Sequence, residues 1–202
     1  MNDPLVIVFE IAILIMSVIV HELAHGYVAD FLGDRTARMA GRLTLNPLSH
    51  IDPLGSIILP LFSFLSAGFI FGWAKPVPYN PYNLQGKYAE VAVAGAGAFA
   101  NFCLALMFGL LIRFGGGALP ASFVDIAEAI VFINVLLAVF NMIPIPPLDG
   151  SKVLFGLLPF RFEYVSRSLE RWSFAILIFF VFFLWQYVTP LIGFIAHLII
   201  GS

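Results

Sequence analysis

Four long apolar stretches, over residues 4–32, 91–114, 124–143 and 172–200, constrain this chain more than any other feature. Crossing the hydrocarbon core of a bilayer takes roughly 20 mostly apolar residues in a helix. Each stretch meets or approaches that length, and the last contains Pro190, where one long helix has room to bend or break into two. A further apolar stretch, residues 55–73, is interrupted by Pro60 and carries Gly68 and Gly72. Composition agrees: 61% of residues are hydrophobic, 11% are charged and the mean hydropathy is +1.00. Soluble domains run near 45–50% apolar and about 25% charged, so lipid must cover much of this surface. The expected fold is an all-α polytopic membrane protein with about four to six transmembrane segments.

At 202 residues the chain fits a single membrane-embedded unit, with a core over 5–152 and C-terminal helices over 172–200. The N-terminal stretch lacks a basic leader and a small-residue cleavage pattern, so it is expected to be a retained helix. A net charge of −2 without a basic run gives nucleic acid nothing to bind. Cys103 is the single cysteine, which excludes an intrachain disulfide and suits a small packing residue.

Basic residues set orientation in membranes. Arg35, Arg38 and Arg42 follow the first stretch, Lys75 and Lys87 precede the second, and Lys152, Arg161, Arg167 and Arg171 follow the third. Asp3, Glu10, Asp125 and Glu128 gather at the opposite ends. The N-terminus is therefore expected outside. Nine of the ten basic residues become cytoplasmic if residues 55–73 dip into the bilayer and return. Such a re-entrant element, with or without short β-strands, must border protein or a water-filled cavity that satisfies its backbone.

The chemistry begins at His21-Glu22-Leu23-Ala24-His25. On a helix, residues four apart share a face, so both imidazoles can reach one ion. Glu22, one step round, lies close enough to act as a base on water at that ion without ligating it. His21 lies about 24 Å along its helix at 1.5 Å per residue, within the cytoplasmic part of the hydrocarbon. Ionisable groups at that depth are costly and mark function. A hydrolytic zinc needs a third protein ligand. The candidate is Asp149, in Asn141-Met142-Ile143-Pro144-Ile145-Pro146-Pro147-Leu148-Asp149-Gly150. The prolines stop the third span, and Gly150 allows a close turn behind the carboxylate.

H-E-x-x-H followed by N-x-x-P-x-P-x-L-D-G, on two apolar spans, resembles the site-2 protease family of intramembrane zinc metalloproteases (peptidase family M50). The likeness covers about residues 5–152. Gly41-Arg42-Leu43-Thr44-Leu45-Asn46-Pro47-Leu48-Ser49-His50-Ile51-Asp52-Pro53 and Gly72-Trp73-Ala74-Lys75-Pro76-Val77-Pro78 are similar to stretches of its compact prokaryotic members. The resemblance implies one zinc ion bound by His21, His25 and Asp149, with Glu22 as base. It further implies membrane-spanning helices of other proteins as substrates, and a prokaryotic cytoplasmic membrane as the location. The chain carries neither a PDZ insert nor a nucleotide-sensing domain. The family's G-x-x-x-N motif stands as Gly97-Ala98-Phe99-Ala100-Asn101, with Ala98 where a proline is frequent.

Asn101 and Asn141 each offer two N–H donors and an acceptor. Either can orient the scissile carbonyl or stabilise an oxyanion, worth about 3–4 kcal/mol elsewhere, or instead bridge helices. His50 suits a satisfied loop histidine near the site. His197 suits a packing or interfacial residue, and Glu10 an interfacial carboxylate. The run Ala94-Gly95-Ala96-Gly97-Ala98 permits close helix approach, and residues 161–171 suit a cytoplasmic surface segment on anionic lipid. The alternative from another class is a metal-ion transporter using the same His and Asp groups. Transporters commonly carry inverted repeats and paired broken helices, and this sequence has neither. A catalytically dead scaffold would be expected to have lost a ligand, and none is missing.

Overall fold

The computed structural model describes residues 4–58, 74–159 and 162–201. Eight α-helices occur among them: α1 (Pro4–Phe31), α2 (Thr36–Met39), α3 (Ala89–Gly115), α4 (Ala121–Asn141), α5 (Asp149–Leu157), α6 (Glu163–Arg171), α7 (Ser173–Phe179) and α8 (Trp185–Ile200). Four helical stretches are long and apolar enough to span a bilayer: Leu5–Phe31, Ala89–Gly115, Ala121–Asn141 and Ser173–Ile200. They coincide with the four expected from hydropathy. No strand occurs among the described residues.

Polarity is inverted relative to a soluble bundle. Leu5, Val6, Ile7, Val8, Phe9 and Ile11 stand exposed on α1, a side-chain set stable only against hydrocarbon. The buried interior is built from small residues. Ala105 of α3, Val131 and Val135 of α4, and Ile192, Ala196 and Ile199 of α8 form one cluster. A Cβ on Gly109 would run into the Ile199 side chain. Lipid gives helices no hydrophobic reason to associate, so close backbone approach through small residues supplies the contact.

α3 is the hub and packs against α1, α4, α5 and α8. It runs antiparallel to α1: His25 pairs with Val93, whereas Ser17, two turns earlier, pairs with Asn101. The connection from α1 to α3 therefore starts and ends at one end of the bundle, and the Gln85 N–H closes it by donating to the Leu32 carbonyl at 2.8 Å. Those ends suit a connection that leaves and returns on one side. The expected re-entrant element falls mostly on residues 59–73, outside the described residues. Its first part is a π-helical turn, Pro53–Ile58.

Pro190 does not break the last span. α8 continues through it, and the irregularity lies upstream as a π-helical turn at Phe180–Leu184. Cys103 faces outward from α3 rather than packing inside.

Candidate metal centre

His21 and His25 stand one turn apart on α1 with ring centroids 4.7 Å apart and planes edge-on. Each Nε2 lies 3.1 Å from the same atom, Oδ2 of Asp149. One ligand atom from each of the three residues can be chosen so that all lie within 4.8 Å of one another. The far nitrogens are also committed. His21 Nδ1–H donates to Asn101 Oδ1 at 2.6 Å, and His25 Nδ1–H donates to the Val93 carbonyl at 2.7 Å. In a neutral ring that donates from Nδ1 the lone pair is on Nε2, the form in which imidazole ligates a metal.

Asp149 reaches the histidines because α4 stops at Asn141. Residues 142–148 follow as tight turns, in which the Ile145 N–H donates to Ile143 and the Leu148 N–H to Ile145. α5 then begins at Asp149 itself, where an anion suits a helix N-terminus. Gly150 is needed for space, since a Cβ there would collide with the carbonyls of Met142 and Ile143.

Two imidazole nitrogens and a carboxylate oxygen form a zinc donor set with room for a non-protein ligand. Gly97 provides the space. A Cβ there would lie 2.5 Å from His21 Nε2 and 2.6 Å from His25 Nε2, so only glycine leaves the gap between those nitrogens open.

Glu22 reaches residues 74–80, which form neither helix nor strand. Its Oε2 accepts the Val77 N–H at 2.8 Å. Arg42 donates to the carbonyls of Lys75 and Pro76 at 3.0 and 3.3 Å. The Pro76 carbonyl and the Val77 N–H belong to one peptide group, so guanidinium and carboxylate align its dipole from opposite ends. Asp34, fully buried, anchors the far side of this segment. Its carboxylate accepts from the Asn80 N–H at 2.6 Å, the Asn83 amide at 2.9 Å and the Thr36 hydroxyl at 2.5 Å. Burial pushes the Asp34 carboxyl up, but hydrogen bonds from Thr36, Asn83 and Asn80 outweigh that and hold it below the ordinary carboxylate value.

The other residues singled out in the sequence are placed as follows. Asn101 is fully buried; its amide donates to the Ser17 carbonyl at 3.2 Å and to Asn134 Oδ1 at 2.8 Å. Asn141 is partly exposed, and its amide donates to the Leu137 carbonyl at 2.9 Å. His50 is buried with Nε2 2.9 Å from the Thr44 carbonyl, outside the three-residue cluster. Glu10 and His197 are exposed. Ser17 and Asn134 were not singled out in the sequence. Ser17 sits one turn before His21 on the same face, and Asn134 is an amide in the middle of an apolar span; those are the signals that mark them.

A helical membrane bundle that gathers two imidazoles and a carboxylate around one point has the donor set of a membrane-embedded metalloprotein. Residues 114–184 match the model of peptidase family M50. Over 186 residues the chain is 38% identical to "Putative zinc metalloprotease YwhC" of Bacillus subtilis, covering 88% of this chain and 79% of that one. Over 174 residues it is 31% identical to "Putative zinc metalloprotease Rip2" of Mycolicibacterium smegmatis, covering 86% of this chain and 66% of the relative. "Putative zinc metalloprotease Rip3" of Mycobacterium tuberculosis is 30% identical over 142 residues, which cover 70% of this chain and 28% of that protein. No solved structure matches the chain. The chain belongs to peptidase family M50. It is an integral membrane zinc metalloendopeptidase of the site-2 protease family.

Proposed function

We propose that this peptidase cuts transmembrane or juxtamembrane segments of other membrane proteins, with His21, His25 and Asp149 holding one zinc ion and Glu22 acting as the base. One observation carries the assignment: two Nε2 atoms converge on a single Asp149 oxygen at 3.1 Å each, while both Nδ1 atoms are tied to carbonyl oxygens. Zinc, when bound, supplies a Lewis acid that polarises a carbonyl and acidifies water.

The remaining work falls to the chain. Glu22, held at Oε2 by Val77, keeps Oε1 for the proton of the attacking water and delivers it to the leaving amine. The water oxygen bonds to the scissile carbon as the carbonyl π pair moves onto its oxygen; that pair then returns, the C–N bond breaks and the amine leaves with the proton. Asn141, where α4 stops, is assigned to the scissile carbonyl or its oxyanion. Asn101, whose amide is saturated inside the bundle, is assigned to orienting His21. A substrate helix has all its backbone groups paired, so it must unwind first. Residues 74–80, which contact Glu22 through Val77, are assigned as the edge that receives the unwound strand.

The charge distribution supports an outside N-terminus and a site opening toward the cytoplasm, in a prokaryotic cytoplasmic membrane, with residues 1–202 acting as one membrane-embedded unit. A reporter attached at Lys87 should be cytoplasmic; an external signal overturns this orientation. The functional test is cleavage of a membrane-spanning substrate by the chain reconstituted in vesicles. Chelator should stop cleavage, and Glu22→Gln should lower it by about 100-fold or more with zinc content unchanged. Full activity of zinc-loaded Glu22→Gln would remove the base assignment, and metal flux without cleavage would favour a transporter.

A further inference from the structure

We propose that Asn134 and Ser17 form a buried relay that sets, through Asn101, which nitrogen of His21 carries its proton, and thereby keep Nε2 free to ligate. This rests on the reading of His21 as a zinc ligand.

An amide side chain has two unlike ends of nearly equal shape, one only accepting and the other only donating. Rotating Asn101 by half a turn would cost little in shape but would reverse everything it touches. With its oxygen toward His21, the ring donates from Nδ1 and Nε2 holds the lone pair. With its nitrogen there, Nδ1 must accept, Nε2 carries the proton, and ligation through Nε2 is blocked.

What prevents that rotation lies outside both residues. The Asn101 amide meets the Ser17 backbone carbonyl at 3.2 Å and Asn134 Oδ1 at 2.8 Å. The Asn134 amide in turn meets the Ile130 backbone carbonyl and Ser17 Oγ, each at 2.9 Å. Backbone carbonyls can only accept. Ile130 therefore fixes Asn134, and Asn134 together with the Ser17 carbonyl fixes Asn101. Reversing either amide would set oxygen against oxygen where Asn101 and Asn134 are 0% exposed and no water can intervene. His25 needs no such relay, because its Nδ1–H meets the Val93 backbone carbonyl directly. The two histidines thus reach one tautomer by two routes, and only the His21 route depends on distant side chains. Asn134 touches neither ligand nor substrate; it is a positioning residue.

The test is ring 15N NMR on the metal-free, histidine-labelled full chain carrying Asp149→Ala, which removes the carboxylate 3.1 Å from both Nε2 atoms that would otherwise draw a proton onto them, at a pH of about 8.5, above the ordinary imidazole value near 6.5. His21 and His25 are assigned by His21→Gln and His25→Gln, and zinc affinity is measured by chelator competition. With Asp149 replaced and Asn134 intact, both rings should carry the proton on Nδ1; finding it on Nε2 of His21 overturns the relay whatever any variant does, and zinc affinities are read in chains that keep Asp149. In Asn134→Leu the His21 ring should shift toward the Nε2–H form while His25 stays unchanged, and zinc should bind about 10-fold more weakly, the lower end of losses at outer-shell partners. Ser17→Ala, which keeps the Ile130 anchor, should change affinity by less than about twofold. Asn134→Ser can still donate to Ile130 and accept from Asn101, so it should recover part of the loss. It also serves as the test if the leucine variant fails to fold. Equal disturbance of both rings, or no change at His21 in a folded variant, sinks the relay. Wild-type zinc affinity in His21→Gln would instead sink the ligand assignment beneath it.

Discussion

His21 and Glu22 are adjacent in the chain, yet their side chains are held by different kinds of structure. His21 faces the bundle interior, where α1, α3 and α4 lock it through Asn101, Asn134 and Ser17 in a dry and fully paired network. Glu22 faces the α1–α3 connection and is gripped by one backbone N–H, from Val77. That grip depends on Arg42 and Asp34, which hold the segment carrying it. Metal ligation tolerates little positional error, and rigid helices supply that constancy. A base that must also admit substrate and water is better placed on the side that a connection forms. The metal side and the base side should therefore fail separately.

Gly97→Ala should produce the largest effect. A methyl at that position enters the gap between the two Nε2 atoms, and overpacking of about 1–3 kcal/mol corresponds to roughly 5–150-fold weaker zinc binding. Metal content of the purified chain checks this; normal zinc with normal cleavage would show that the gap is not the ion's place. On the base side, Arg42→Met should lower kcat about 10-fold, less than the roughly 100-fold or more lost with the base itself, with zinc content intact. Loss of zinc in that variant would break the separation of the two sides.

Asp34→Asn should act mainly on stability, costing about 1–3 kcal/mol through weakened charge-assisted hydrogen bonds. The sign with pH follows from its lowered pKa. The carboxylate's contribution is present in full above its unfolded value of about 3.9, and is lost as pH falls through the lower folded value. Thermal unfolding of wild type should therefore weaken on acidification by an amount that Asp34→Asn lacks, and identical acid profiles would remove Asp34 as the clamp. The smallest effect belongs to Lys152→Ala. The Lys152 ammonium lies 4.0 Å from Asp149 Oδ1 and is 44% exposed, so screening should leave zinc affinity within about threefold of wild type. A larger loss would extend the metal side out to the surface.

The base side was partly legible in the sequence. Arg42 and Val77 both lie in stretches similar to family members, but nothing in either stretch says that one peptide group joins them. The metal side was legible where its geometry is local. The four-residue spacing of His21 and His25 places them on one helix face, and the prolines after Asn141 end a helix wherever they occur. Asn101 was harder, since an amide within an apolar span serves substrate binding and helix bridging equally well on paper.

Hydropathy and helical periodicity act over one or two turns, so the sequence by itself determined the four spans, the paired imidazoles and the break before Asp149. Tertiary structure alone decided which groups meet across the bundle: Asn101 on His21 at a separation of 80 residues, Asp149 on His21 at 128, and Val77 on Glu22 at 55. It also decided that Gly97 must lack a side chain. The physical reason is that such contacts depend on helix rotation and register, which small-residue packing in lipid sets for all the helices together.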